Sequence, residues 1–341
     1  MAVPSGTRTT YSAVGIREDL SNVIYNISPT DTPFLNGAGR SSASGTYFEW
    51  QTDVLASAAD NFQLEGTDLT SATVVEPRRV GNYMQISAKA IQSSGTSLAV
   101  DFAGRKSTQA YRMAKAAKEI KRDMEYMLTR NVAAVVGTNT SAGTAGQPTG
   151  DTRKTGSLGA WIGGKSPFPV GNTSHGGGSP AGAACDGDGN DITIDAATKR
   201  AITLPLIRAI IQKLFVAGSD ADTIMVGPFN KESISQLTKS DAGVSPLRTA
   251  ANEKKQAHVV EAWDVYVSDF GNFKVIPNRF QRERDGWFLD FDFWGVSYLR
   301  PFQTLEIART GDSKKQELIV EYGLLSKNQT ASGCIYDLTA S

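Results

Sequence analysis

The chain has 341 residues, 40% of them hydrophobic and 21% charged, which is enough for two modest domains or one large one with insertions around a buried core. Lysine plus arginine and aspartate plus glutamate each number 35, so no net field draws the protein to polyanions or to an anionic membrane. Sequence-independent nucleic-acid binding by bulk charge is therefore not expected. The catalytic inventory is thin: the only histidines are His175 and His258 and the only cysteines Cys185 and Cys334. The cysteines are far apart and neither lies at ligand spacing from a histidine, so a structural zinc is not expected and one lone disulfide is left open but unmotivated; no cofactor is expected. Residues 1–10 lack the basic and apolar regions of a signal peptide, and no apolar run approaches the roughly 20 residues of a membrane helix. A soluble product that starts in a reducing cytoplasm is expected.

In chain order, Ile16, Leu20, Val23 and Ile24 share one face of a short helix, which ends before Pro29 and Pro33. Residues 47–55 alternate Phe48 and Trp50 against Glu49 and Gln51, the period of a half-buried strand. Its expected partner is 80–88. The intervening 56–79 is polar and too weakly apolar to own a core, so the segment reads as a long projecting hairpin, which needs something to lie against. From 107 to 136, Met113, Ala117, Ile120, Met124, Met127, Leu128, Val132 and Val135 recur at helical steps, predicting a helix of about 40 Å. Residues 137–190, dominated by Gly, Ser, Thr, Ala and Pro, read as a long loop. Beyond it, Leu206, Ile207, Ile210, Ile211 and Leu214 predict a helix capped by Thr203 and stopped at Gly218. A buried strand follows at 223–227, then a second helix capped by Asn230. A hairpin is expected over 265–276, an aromatic strand over 287–299, and two further strands at 304–309 and 316–325. The class is mixed α+β.

Three motifs invite a chemical reading. Gly159-Ala-Trp-Ile-Gly-Gly164-Lys165-Ser166 formally matches GxxxxGK(S/T), but Pro167 and Pro169 follow where a phosphate-binding helix should open. Asp186, Asp188 and Asn190 fall at calcium-loop spacing, yet Asp191 replaces the turn glycine and Ala197 the bidentate carboxylate; a solvated turn fits better. Asp290 and Asp292 would project from one strand face about 6.7 Å apart, a spacing suited to an inverting glycosidase with Phe288, Trp294 and Tyr298 as a platform. The blander reading pairs these acids with Arg282, Arg284 or Arg300. No GxSxG elbow accompanies either histidine.

Several blocks, in order along nearly the whole chain, resemble the major head proteins of tailed bacteriophages. They are Gly15-Ile-Arg-Glu-Asp-Leu-Ser-Asn-Val-Ile-Tyr25 through Leu35, Glu49-Trp-Gln-Thr-Asp-Val-Leu55, Gly81-Asn-Tyr-Met-Gln-Ile86, Ser94-Gly-Thr96, Tyr298-Leu-Arg-Pro-Phe-Gln-Thr304, Thr310-Gly-Asp-Ser313 and Leu318-Ile-Val-Glu-Tyr322. The resemblance implies the Hong Kong 97 capsid fold: an N-terminal arm at 1–40, an extended E-loop hairpin at 41–90, and a P-domain with its spine helix at 91–136. A Gly/Ser-rich insertion would occupy 137–195, the A-domain 196–299, and the returning P-domain strands 300–341.

It further implies a non-enzymatic virion protein, assembled in the bacterial host cytoplasm, that forms pentamers and hexamers with itself and encloses double-stranded DNA without reading its sequence. A separate scaffolding protein is expected because no long charged extension precedes the arm, with portal and decoration proteins as further partners. Some relatives crosslink through an E-loop lysine, but 41–88 contains none and Lys89 falls at the hairpin base, so crosslinking is not expected. Phe48, Trp50, Val80 and Met84 are the candidate neighbour-facing residues of the hairpin, with burial inside their own subunit the equal alternative for Phe48 and Met84. The competing classes are a decoration or tail module and a nucleotide- or carbohydrate-active enzyme.

Overall fold

A computed structural model describes residues 29–53, 55, 58–66, 68, 76–100, 102, 107–137, 152–162, 199–240, 265–309 and 311–340. The expected helix at 15–25, the Asp186–Asn190 turn, Lys165, Ser166, His175, His258 and most of the Gly/Ser-rich segment lie outside them.

The described chain opens with a single helical turn, α1 (Pro33–Gly37), started by proline at its first position. Strand β1 (Gly39–Ser42) follows, then the ladder of β2 (Tyr47–Thr52) and β3 (Arg78–Tyr83), antiparallel with Trp50 opposite Val80. β4 (Gln85–Ser94) leads through the short α2 (Gly95–Ala99) to the long helix α3 (Thr108–Leu128), whose first turn is capped by the Ser107 hydroxyl accepting from the Ala110 amide at 3.3 Å. The buried turn α4 (Leu158–Ile162) precedes α5 (Leu204–Ala217), β5 (Thr223–Val226) and α6 (Pro228–Ser240). The chain closes with β6 (Val265–Ser268), β7 (Gly271–Pro277), β8 (Gly286–Leu289), β9 (Trp294–Ile307), β10 (Ser313–Ser326) and β11 (Gly333–Ile335).

Two larger sheets organise these elements: a four-stranded sheet in the order β1-β9-β10-β4, and a five-stranded one in the order β11-β8-β5-β7-β6. The five-stranded sheet is covered on both faces, which accounts for its apolar strands β5 and β8, buried at every position. Along β8, Trp287 and Leu289 face the core built on α3, with Ile120, Met124, Leu128, Trp294 and Tyr322. Phe288 faces the opposite core, with Ile207, Ile211 and Leu214 of α5 and Ile234 of α6.

Several expectations are corrected. The strand foreseen over 80–88 is two strands in two sheets: β3 pairs with β2, the strand is interrupted at Met84, and β4 pairs antiparallel with β10. The long helix ends at Leu128 rather than near 136. There the Thr129 hydroxyl donates back to the Glu125 carbonyl at 2.8 Å, and Val132 and Val135 pair with the returning segment, Val132 N donating to Ser157 Oγ at 2.7 Å. α5 ends at Gly218 as expected, in the left-handed conformation (φ 82°), but Thr203 makes no side-chain cap bond. Asn230 is not a cap either, because Pro228 starts α6 and the Asn230 amide donates to the Glu283 carbonyl at 2.7 Å. The aromatic stretch over 287–299 is split between β8 and β9 by a 3-10 turn at Phe291–Phe293. The boundaries expected at 90 and 299 accordingly fall inside β4 and β9.

Candidate functional site

The projecting hairpin is the feature with no core of its own. Its ladder stops at Thr52 and Arg78, and the described residues beyond, from Asp53 through Glu76, are exposed. Among them are Leu55, Phe62 and Leu64, the last two 84% and 80% exposed. Acidic residues dominate the segment: Asp53, Asp60, Glu65, Asp68 and Glu76 occur with no lysine, arginine or histidine between Thr52 and Arg78.

At its base the hairpin is fastened to the four-stranded sheet. Asn82 is fully buried and all its hydrogen-bonding capacity is directed inward. Its amide donates to the Leu324 carbonyl (2.7 Å) and to the Gly156 carbonyl (3.3 Å), and its Oδ1 accepts from the Gly156 amide (2.9 Å). Phe48 stacks on Trp50 with ring centroids 5.4 Å apart, and Trp50 on Trp161 at 5.3 Å. Gly323 of β10 leaves the space in which the Phe48 ring sits. Arg153 binds the Met84 carbonyl and Glu321, and Arg300 approaches the other Glu321 oxygen at 2.9 Å. Glu321 is buried and sits at the irregularity in the β9–β10 register, so two cations compensate one carboxylate taken out of water.

Of the candidate interface residues, Val80 and Met84 are corrected: they are 5% and 0% exposed within this one chain, with Val80 in the core around α3. Neither side chain is left to face a neighbour. Phe48 and Trp50 are half-buried. Asn82, Arg153, Glu321 and Gly323 were not singled out by sequence reasoning, because each acts through a partner distant in sequence and carries no local pattern.

A second junction ties the start of the described chain to both sheets. Glu125 of α3 is fully buried, accepting from the Phe34 and Leu35 amides at the start of α1 (2.8 and 2.9 Å) and from the Asn278 side chain at the end of β7 (2.7 Å). Burial raises its pKa, against the three hydrogen bonds that favour the carboxylate. Beside this junction, between α1, α3 and β9, lies a cavity of about 290 Å³. Leu35, Met124, Tyr298 and Phe302 form its apolar lining, with Arg40 and Lys121 alongside. The exposed face of α3 carries Arg112, Lys115, Lys118 and Lys121, whereas Lys89 is held by Glu119 (3.1 Å) and Asp123 (3.0 Å).

The motifs that suggested chemistry dissolve where the structure describes them. Gly159–Ile162, the described half of the first motif, is part of buried α4, with Gly159 packed against Asn131, rather than an open turn presenting its amides to a phosphate. Asp290 and Asp292 do not share a strand face: Asp290 caps the 3-10 turn, accepting from the Asp292 amide at 3.1 Å. Phe288 and Trp294 are fully buried and offer no platform, and Arg282, Arg284 and Arg300 pair with Asp285, Asp337 and Glu321 instead. Among the described residues no cluster of His, Cys, Asp and Glu could hold a metal, and no helix is long and apolar enough to cross a membrane.

Solved structures share this fold, among them subunits of phage capsids. The chain superposes on a subunit of the cyanophage A-1(L) capsid with a TM-score of 0.63 at 13% identity, covering 97% of this chain and 99% of that one. For the capsid of a native GTA particle the TM-score is 0.57 at 11% identity, with 97% and 98% covered. The same TM-score is found at 9% identity with Mycobacterium phage Adephagia, over 99% and 100%. In sequence the chain is 29% identical over 345 residues to the major capsid protein of Escherichia phage Phieco32, spanning 96% of this chain and 95% of the relative. Residues 3–339 match the model of the SU10 major capsid protein family, and the chain belongs to that family. It is a structural protein of a phage capsid shell, and its family is not a class of enzymes.

Proposed function

We propose that this subunit builds an icosahedral head through the Hong Kong 97 plan, with the β2–β3 hairpin and its acidic extension as the E-loop, α3 as the spine helix, the four-stranded sheet as the P-domain and the five-stranded sheet with α5 and α6 as the A-domain. The observation that carries this reading is the hairpin itself. It is rigidly seated at Asn82, Phe48 and Trp50 yet displays Leu55, Phe62 and Leu64 to solvent, an arrangement that is costly in an isolated subunit and useful only if a neighbour covers it. On the other lobe, Phe215 and Phe270 stack at 5.0 Å beside exposed Val216 and Val267, a patch suited to head-to-tail contacts that close into rings of five and six. Each contact is modest, but every subunit is held by several neighbours at once, so the shell is stable.

In this reading the head assembles in the host cytoplasm on a separate scaffolding protein, joins portal and decoration proteins, and encloses double-stranded DNA without sequence-specific contacts. It expands by rigid-body rotation about the hairpin base. Lys89 of β4, held by two carboxylates of α3, is not positioned as a projecting crosslink donor. The test is deletion of residues 56–77 with a short turn in their place. The variant should remain folded by circular dichroism but form no closed particles in electron micrographs when co-expressed with the other head proteins. Normal closed shells from it would overturn the assignment of the hairpin.

A further inference from the structure

The chain is neutral as a whole, but its charges are segregated, and α3 carries a cationic stripe. Within Thr108–Leu128, Arg112, Lys115, Lys118, Lys121 and Arg122 stand against Glu119, Asp123 and Glu125. The three carboxylates are drawn away from the outward face. Glu125 is buried in the junction with α1, and Glu119 and Asp123 lie on the edge of the helix turned to β4, where Lys89 holds both (3.1 and 3.0 Å). At about 100° per residue, Lys115, Lys118 and Arg122 share the middle of the outward face, with Lys121 on its far side. Lys118 and Lys121 have no carboxylate partner among the described residues. Arg122 is braced on the Phe280 ring at 5.6 Å, and Arg130 continues the stripe over the Tyr126 ring at 4.6 Å, with Tyr126 48% exposed. At the other end Arg112 donates to the Gln92 carbonyl and to the Ser93 hydroxyl, both at 3.2 Å, beside an open polar cavity of about 410 Å³ that Lys115 also lines. We propose that this stripe, from Arg112 to Arg130, is the surface on which the subunit meets the phosphate backbone of the packaged duplex.

Density of charge selects the occupant. Duplex DNA carries one negative charge per about 1.7 Å of its axis, and the steps from Lys115 to Lys118 and from Lys118 to Arg122 are about 4.5 and 6 Å along the helix, so each cation finds a phosphate. The acidic hairpin of another subunit is the poorer match. Its carboxylates are spread over 53–76, and it carries Leu55, Phe62 and Leu64, for which the exposed positions of α3 offer only Ala110, Ala114 and Tyr126 as apolar contacts. A phosphate backbone asks for no apolar partner. Contacts of this kind position the duplex and carry no sequence information, and they weaken as salt rises because each one releases a counterion. The inference rests on the shell reading above and adds the residues that touch the contents.

Two measurements test it. In the first, purified subunits are titrated with a short fluorescent duplex of mixed sequence at several salt concentrations. The combined variant Lys115→Gln, Lys118→Gln and Lys121→Gln should keep the wild-type circular dichroism, because all three side chains are exposed. It is expected to reduce the slope of log affinity against log salt by about 3, roughly one for each lysine. Duplexes rich in A·T and in G·C should bind equally. An unchanged slope, or a marked preference for one composition, overturns the assignment. In the second, Lys118 is replaced by a photocrosslinking phenylalanine analogue, and DNA-filled heads and empty shells from one preparation are irradiated. Covalent adducts between position 118 and DNA are expected in the filled heads and not in the empty shells. Adducts to residues 53–76 of another chain in place of DNA overturn it. Normal filled heads with no DNA adduct remove this surface and leave the shell reading standing, whereas a wild-type chain that never assembles with its head proteins removes both.

Discussion

Glu125 is fully buried and accepts three hydrogen bonds, from Phe34, Leu35 and Asn278. Glutamine in its place supplies one acceptor oxygen where the carboxylate supplies two, so a buried donor loses its partner. Glu125→Gln should therefore cost about 1–3 kcal/mol of stability, measured by chemical denaturation. The pH dependence has a defined sign. The folded-state pKa is raised, principally by burial, so the folded protein binds a proton more readily than the unfolded chain and the penalty on the charged form is relieved as the pH falls. The difference in melting temperature between wild type and Glu125→Gln should thus grow in favour of wild type from neutral pH down through the folded-state pKa towards the ordinary range of glutamate. A difference that instead shrinks on acidification would show that the hydrogen bonds outweigh burial.

At the scale of the element, the hairpin meets the body where Phe48 of β2 packs over Gly323 of β10. A Cβ on Gly323 would lie 2.6 Å from Phe48 Cε1 and 3.1 Å from Met84 Sδ, so the glycine is required by close approach. Gly323→Ala should destabilise the subunit by about 1–3 kcal/mol by overpacking, and Phe48→Leu in the same chain should return part of that loss in thermal melts. If Gly323→Ala is neutral on its own, the Phe48 ring is not seated there. The β2 strand was legible from its alternation, because Phe48 and Trp50 report a two-residue period through nearest neighbours alone. Its partner's end was not. Val80 through Ala88 reads as one strand, and only the competing ladder with β10, which begins its pairing at Gln85, divides it. The long helix shows the same limit: its period continues to Val135, but the backbone groups beyond Thr129 are taken by Ser157 and Lys154, which the local pattern does not contain.

On the scale of the whole molecule, the two cores meet back to back across one sheet. Met225, Trp287, Leu289 and Cys334 face the α3 side, and Ile224, Val226, Phe288 and Ile335 the α5 side. Neither core can be lost without exposing the other's strands. Phe288→Ala, a fully buried truncation, should cost about 3–5 kcal/mol. It should shift a single calorimetric transition downwards, with near-ultraviolet signals from the tryptophans on the α3 side moving with it. Two separated transitions would mean that the lobes unfold independently.

The residues alone were sufficient for the class of the protein. A neutral chain poor in histidine and cysteine, with a coreless hairpin, a strong amphipathic helix and ordered blocks of capsid-like sequence, excluded most chemistry, and its membership of a capsid family is carried along residues 3–339. Periodicity marked β2, α3, α5 and β5 because amphipathic burial is written locally. What the tertiary structure decided was how each residue is used. Val80 and Met84, apolar residues of the expected hairpin, are buried in their own subunit. Asp290 is a cap and not half of a catalytic pair. Glu125, Asn82 and Glu321 act through partners 91, 242 and 168 residues away. Burial and pairing at such separations depend on which surfaces the folded chain brings together, and no window of sequence short enough to carry a period contains both sides of the contact.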